Sequence, residues 1–239
     1  MSFEGKVIGK LIARTFLGGI IQDCLLVVKD NIAKIRAIDP NTQGLFLEVS
    51  SKVEGINDIT LGLNNLKMIT TFLEKAKKPV KYLIRDNMLR LIKSNKETIS
   101  ILLLEKDAIA SLPKTDKTKD YYIGKTKTSF ACNRKLADKI FDYCKMMEIK
   151  TIKLIADGEQ ISINSGEIKE RGFAIPKAGK CAKVDETISS EIYADNFLAV
   201  LKTILVDKDI EATIHIGLNM PVVIEQGDDH WILIPITNE

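Results

Sequence analysis

The sequence predicts an α+β protein made of two tandem copies of one helix-bearing β-module, and three observations carry that reading. Residues 56–91 alternate apolar and polar at Ile59, Leu61 and Leu63. They switch to helical spacing at Leu66, Ile69 and Leu73 behind an Asn64 cap, then return to alternation at Val80, Tyr82 and Ile84. The same order returns roughly 131 residues later, where Asn64-Asn65-Leu66 falls on Asp195-Asn196-Phe197, Ile69 on Val200 and Leu73 on Ile204; self-similarity at a fixed offset marks repeated structural units. A chain of 239 residues, 45% hydrophobic and 28% charged, is also long enough for two cores of about 120 residues each.

Taken in order, residues 2–8 are predicted as a short strand and 9–17 as a helix that Gly18-Gly19 terminates, since glycine readily takes the left-handed conformation of a C-cap. Leu11, Ile12 and Phe16 face inward, and Lys10 and Arg14, four apart, share the opposite face. Residues 24–28 and 32–38 form a hairpin around Lys29-Asp30-Asn31, Asp39-Pro40-Asn41-Thr42 is a turn, and 45–49 is the next strand. The helix of the first repeat stops at Lys77-Lys78-Pro79, and a turn at Asn87-Met88 matches Asn219-Met220 in the second repeat. Residues 97–104, ETISILLL, are apolar enough that this strand must be central in its sheet or covered by another chain. Residues 105–125, with Pro113 and little periodicity, read as a linker between domains 1–104 and 126–239.

The second domain repeats the plan. A strand ends at 130–132, and Asn133 caps a helix burying Leu136, Ile140, Tyr143 or Cys144, and Met147. A hairpin of 151–156 and 160–164 turns at Asp157-Gly158, a short strand covers 172–175, and 231–236 is the last strand.

The net charge of +3 does not announce nucleic acid by itself, so the placement of the lysines decides. All four helices lean basic on their polar side: Lys10 and Arg14; Lys67 and Lys75; Arg134, Lys135, Lys139 and Lys145; and Lys202. Such a surface attracts phosphates weakly and without reading bases.

Other function classes find little support. Cys24, Cys132, Cys144 and Cys181 have no C-x-x-C spacing and read as packed, reduced thiols. No leader or membrane span is expected: the apolar run 16–28 is interrupted by Gly18-Gly19 and Gln22-Asp23 and is shorter than the roughly 20 residues a bilayer needs. Asp228-Asp229-His230 reads as a hairpin turn and not as a metal or acid-base cluster, and His215 as a strand histidine. Gly18-Gly19 lacks the phosphate-loop pattern, and Ser165-Gly166 is no nucleophile elbow. No catalytic constellation, metal or cofactor is expected.

With these pieces in place, the chain resembles the sliding clamps of the proliferating cell nuclear antigen family over nearly its whole length. Residues 25–49 (LLVVKDNIAKIRAIDPNTQGLFLEV) resemble that family's first hairpin and following strand, residues 155–167 (IADGEQISINSGE) the matching hairpin of its second domain, and NMPVVIEQ with WILIPI its closing strands. The resemblance implies two tandem clamp domains, each with helices on one face of antiparallel sheets, assembling as a homotrimeric ring around double-stranded DNA. It implies a non-enzymatic processivity factor that tethers DNA polymerase, is placed by a clamp loader, and receives other replication or repair proteins through a short peptide motif.

By position, Lys10, Arg14, Lys67, Lys75, Lys135, Lys139 and Lys202 would face DNA. Ile38, Tyr122, Ile123, Pro221, Ile232, Ile234 and Pro235 would form the partner pocket. Thr98, Ile99, Ile101 and Leu103 of one copy would meet Phe173 and Ile175 of the next. A cytoplasmic or nucleoid-associated protein is implied, nuclear in a eukaryote; the Lys-, Ile- and Asn-rich usage suggests an AT-rich viral or archaeal genome. Two alternatives stay open: a subunit of a heteromeric or checkpoint-type ring, and a monomeric DNA-binding accessory subunit of a polymerase.

Overall fold

The structure is a computed structural model and describes residues 2–41, 44–76, 78–109, 119–165, 172–204, 211–218 and 220–234. The chain divides into two compact units, Met1–Asn41 with Leu47–Lys114, and Thr42–Phe46 with Thr115–Glu239.

Unit 1 contains β1 (Ser2–Glu4), α1 (Lys6–Phe16), β2 (Cys24–Lys29), β3 (Ile32–Ile38), β4 (Leu45–Lys52), β5 (Ile59–Leu63), α2 (Leu66–Glu74), β6 (Lys81–Arg85), β7 (Met88–Ile92) and β8 (Thr98–Leu102). After a short helix α3 (Lys119–Ile123), unit 2 runs β9 (Thr128–Cys132), α4 (Arg134–Met147), β10 (Thr151–Asp157), β11 (Gln160–Ser165), β12 (Ala174–Lys180), β13 (Ile188–Tyr193), α5 (Ala194–Ile204), β14 (Ala212–Ile216), β15 (Val222–Gln226) and β16 (Asp229–Leu233).

The repeat is finer than a duplication. Strand-helix-strand-strand-strand occurs four times, beginning at β1, β5, β9 and β13. In every case the first strand leaves its own quarter and pairs antiparallel in the sheet of its neighbour: β1 with β6, β5 with β2, β9 with β14 and β13 with β10. Unit 1 thus has strand runs β1-β6-β7-β8 and β5-β2-β3-β4; unit 2 has β9-β14-β15-β16 and β13-β10-β11-β12. The exchange ties the two quarters of each unit into one core, since neither sheet can be completed by one quarter alone.

Local chemistry explains the elements. The β2–β3 and β6–β7 turns place Asp30-Asn31 and Asp86-Asn87 at φ of 51° and 60°, and 51° and 56°. This is the paired left-handed geometry that twists a two-residue hairpin correctly, and Asn and Asp tolerate it. The helices fold because one stripe is buried: Ile8, Leu11, Ile12 and Thr15 on α1, Leu66, Ile69 and Thr70 on α2, Leu136, Ala137, Ile140 and Cys144 on α4, and Phe197, Val200, Leu201 and Ile204 on α5. α1 packs on α2 and β3, α4 on α5, and α5 also on β13 and β16.

Several expectations need correction. α1 begins at Lys6 and not near residue 9, because burial of Ile8 at helical spacing from Leu11 and Ile12 outweighs the β preference of Val7 and Ile8. The α2 cap is Asn65, whose side chain accepts from the Met68 amide at 3.3 Å, and not Asn64. The α4 cap is Asn133, which accepts from the Leu136 amide at 3.0 Å. The last hairpin turns at Gly227-Asp228; Asp229 and His230 are buried in β16 and not in the turn. β12 runs to Lys180 and not only to residue 175. β8 ends at Leu102, after which Leu104 bridges to Gly62 of β5, its amide donating to the Gly62 carbonyl at 2.9 Å.

That bridge sets the residue at 62. A Cβ there would overlap the Leu104 carbonyl oxygen and lie 3.0 Å from Ile109 Cδ1. Gly62→Val is expected to cost about 3 kcal/mol, because a backbone atom, unlike a side-chain tip, cannot move aside. Urea denaturation of the variant beside wild type measures it.

Glu48 on β4 meets Lys34 Nζ at 2.9 Å and Arg36 Nε at 2.5 Å from β3. Burial works to raise its carboxyl, but hydrogen bonds from the two cations outweigh this and hold it below the usual glutamate range. A lowered folded value means the cluster stabilises fully above that range and loses its contribution as the pH falls through the folded value. The stability gap between wild type and Glu48→Gln should be widest near neutrality and narrow as the pH falls below the usual glutamate range. Denaturant titrations at neutral pH and at a series of acid pH values check it.

Candidate nucleic-acid interface

The positive charge is unevenly spread over the helices. α1 carries Lys6, Lys10 and Arg14 and no acid; α4 carries Arg134, Lys135, Lys139 and Lys145 against Asp138 and Asp142; α2 and α5 each have one basic and one acidic residue within their spans. Phosphate attraction should therefore come mainly from α1 and α4.

Lys10, Lys67, Lys75, Lys135, Lys139 and Lys202 are exposed, and Arg14 is half-buried. Lys139 Nζ lies 5.8 Å from the Tyr143 ring centroid, and Arg134 Nε pairs with Asp138 at 3.5 Å. Lys6 was hidden from sequence reasoning by its assignment to a strand. Once it is helical, Lys6, Lys10 and Arg14 form one stripe four residues apart, a spacing the sequence does display. Lys6 and Lys10, with Lys78, also border an open depression of about 380 Å³ between α1 and the end of α2. Lys67 and Lys75 line a different cavity, on the far side of α2 against β8.

The expected partner pocket is only partly assembled within one unit. α3 packs on β15, placing half-buried Tyr122 and Ile123 beside the strand that Pro221 precedes. Tyr121 is 39% exposed and meets Tyr122 edge-on at 5.2 Å between ring centroids. Ile234 is 38% exposed, whereas Ile232 pairs opposite Val223 and is 1% exposed, so it can only floor such a pocket. Ile38, half-buried at the end of β3, belongs to unit 1, and Pro235 lies outside the described residues.

The expected interface strands both end their sheets among the described residues, β8 after β7 and β12 after β11. The side chains of Ile101, Leu103, Phe173 and Ile175 are buried, so they are not on display at the strand edges. Thr98 is exposed and Ile99 half-buried, but the side chain that β8 shows most to solvent is Leu102, 57% exposed. β12 is interrupted: its register with β11 shifts between Ile161 and Ile163, opposite Pro176 and Lys177, the latter at φ 57°. A bulge and a proline on an edge shorten the run that another strand can join.

Ser165 Oγ is buried and accepts from the Phe173 amide at 3.1 Å, and His215 Nε2 lies 2.7 Å from Glu225 across β14 and β15. Among the described residues no three His, Cys, Asp or Glu side chains are grouped to hold a metal, and no helix is long and apolar enough to cross a membrane. The four cysteines are free thiols; burial pushes Cys132 and Cys144 up to about 12 and about 11 and raises Cys24 as well, so none of these three is a ready thiolate near neutrality.

Comparison with solved structures finds this fold in DNA sliding clamps, over 99–100% of the present chain. The fold is shared with PCNA from Thermococcus kodakaraensis, at a TM-score of 0.69 and 14% identity, covering 99% of both chains. It is likewise shared with PCNA from A. fulgidus, solved with the C-terminal region of FEN-1 bound, at 0.71 and 15% identity over 100% of this chain and 98% of that one. The DNA polymerase sliding clamp from Bacillus subtilis superposes at 0.76 with 14% identity over 100% of this chain, which spans 64% of the bacterial chain's length. No protein-family model and no curated protein matches the sequence.

Proposed function

We propose that the protein is a DNA sliding clamp, a ring of identical copies that holds duplex DNA by enclosure and tethers a polymerase. The observation that carries the proposal is the likeness to two PCNA structures along 98–99% of their length, with the same fold throughout. The basic stripe of α1 and the basic side of α4 support it, because a sliding surface needs weak, sequence-independent attraction to phosphates. Two sheet edges, β8 and β12, offer backbone groups through which copies could join head to tail, the contact type that closes rings. Tethering then converts repeated encounters of the polymerase with its template into one of high effective concentration.

The pocket formed by Tyr122, Ile123, Pro221 and Ile234 would receive the aromatic anchor of a partner peptide, as the binding of the FEN-1 C-terminal region to A. fulgidus PCNA suggests. A clamp loader would open the ring. The role requires no catalysis by this chain.

The test is topological. Electron microscopy of the purified protein should show annular particles, and mass measurement three times the 26.7 kDa chain. Protein loaded on nicked circular DNA should stay bound until the circle is linearised. Particles without a central hole, or equal retention on circular and linear DNA, would refute enclosure.

A further inference from the structure

A lysine stands beside the pocket that holds Tyr122 and Ile123, and the fold fixes where its charge sits. α3 ends at Ile123, and Lys125, two residues on, folds back: its Nζ donates to Tyr121 Oη at 2.6 Å and lies 4.2 Å from the centre of that ring. Tyr121 in turn meets Tyr122 edge-on, with ring centroids 5.2 Å apart. The ammonium is thus tethered to the pocket through two aromatic rings. Its side chain is exposed, and the phenol takes one of its three N–H groups.

The β14–β15 turn adjoins the same segment. The Lys127 amide donates to the Ile216 carbonyl at 2.9 Å, and the buried Ser190 hydroxyl donates to the Gly217 carbonyl at 3.0 Å. A Cβ at Gly217 would lie 3.2 Å from the Lys125 carbonyl oxygen and 3.1 Å from Thr126 Cα, so the turn packs directly on the residues around Lys125. Held from both sides, it displays Leu218 at 48% exposure. Charge in this neighbourhood is one-sided. Residues 119–131 contain Lys119, Lys125 and Lys127 against Asp120 alone, and residues 216–224 contain no acidic side chain.

We propose that Lys125 and Leu218 select the partner: the peptide that fills the pocket carries a carboxylate beside its aromatic anchor, received by Lys125, and an aliphatic side chain laid on Leu218. This rests on the reading of the pocket as a peptide site and names the chemistry of its occupant. A fixed cation beside an aromatic pocket favours an acidic peptide over a neutral or basic one by charge complementarity. Nucleic acid fits this rim less well. Lys125 covers one face of the Tyr121 ring and Tyr122 meets it edge-on, which leaves little aromatic platform for a base, and a phosphate would leave Leu218 in water. Neither Lys125 nor Leu218 belongs to the pocket set that the sequence suggests.

The experiment is fluorescence anisotropy on the full chain with three labelled synthetic peptides. They share a Leu and a Phe-Phe anchor and differ only in the residues flanking the anchor, which are Asp, Ser or Lys. The Asp peptide should bind about fivefold tighter than the Ser peptide and the Lys peptide weakest, with the differences shrinking as salt rises. Lys125→Glu should invert the order, Lys125→Arg should preserve it, and Leu218→Ser should weaken all three alike. Both positions are exposed, so the circular dichroism spectrum should not change. Equal affinity for the three peptides, an order untouched by Lys125→Glu, or a Leu218→Ser protein that binds as wild type does would overturn the selection while leaving the pocket a peptide site. A duplex DNA oligonucleotide that displaces the Asp peptide, and does so less well from Lys125→Glu, would make this rim a nucleic-acid surface and overturn it too. If none of the three peptides binds wild type, the pocket reading falls and the selection falls with it.

Discussion

Ser100→Pro is expected to leave the chain folded and to abolish its assembly. The argument depends on which way the backbone of β8 points. Leu103 donates to the Asn87 carbonyl and Lys93 to the Glu97 carbonyl, each at 2.9 Å, and these bracket the β7–β8 ladder. With Leu89 opposite Ile101 and Leu91 opposite Ile99, the pairs that exchange hydrogen bonds are those of the odd-numbered residues. The amides of Thr98, Ser100 and Leu102 therefore point to the open side.

Proline at residue 100 removes an outward donor and puts a ring in the path of an incoming strand, while the bonds to β7 stay in place. Its Cβ faces solvent, as Ser100 is exposed. Sedimentation should find single chains at concentrations where wild type is assembled, with a melting curve shifted by only a few degrees. An assembled Ser100→Pro protein would mean that β8 is not where copies join.

Much of this was legible in the sequence, and the failures have identifiable physical causes. The duplicated strand-helix-strand is visible because the core stripes of α2 and α5 carry the same spacing, Leu66 and Ile69 against Phe197 and Val200. The quarter-level repeat was not legible, because exchange of β1, β5, β9 and β13 between neighbours is a tertiary pairing that leaves no mark on periodicity. The sequence places the start of α1 three residues late because Val7 and Ile8 look like strand residues, and that start leaves Lys6 out of the basic stripe; in the structure Ile8 is buried on α1, which packs on α2 and β3. ETISILLL reads as a central strand or a covered edge, and the structure places β8 at a sheet edge among the described residues; Thr98 to Ile101 alternate, but residues 101–104 are apolar throughout and leave the exposure of Leu102 unmarked.

Replacing Lys6, Lys10 and Lys139 together by Glu is expected to strip the protein of its hold on DNA without touching its assembly. All three are exposed on α1 and α4, the two helices with a basic excess, and none lines the cavity beside β8. Each phosphate contact contributes roughly 0.9 to the slope of log affinity against log salt, so losing three should flatten that slope by nearly three units. Reversing the sign adds repulsion, which should take retention on circular DNA at moderate salt below detection.

Lys52→Glu/Lys96→Glu removes two exposed lysines outside the helices and provides the comparison, because it lowers net charge while sparing the stripe. If attraction came from net charge alone, the two sets would weaken binding in proportion to the number of lysines changed. If the α1 and α4 stripes carry it, the comparison protein should bind nearly as wild type does. Retention of the triple variant on DNA, or an equal loss per residue in both sets, would place the DNA-facing surface elsewhere on the molecule.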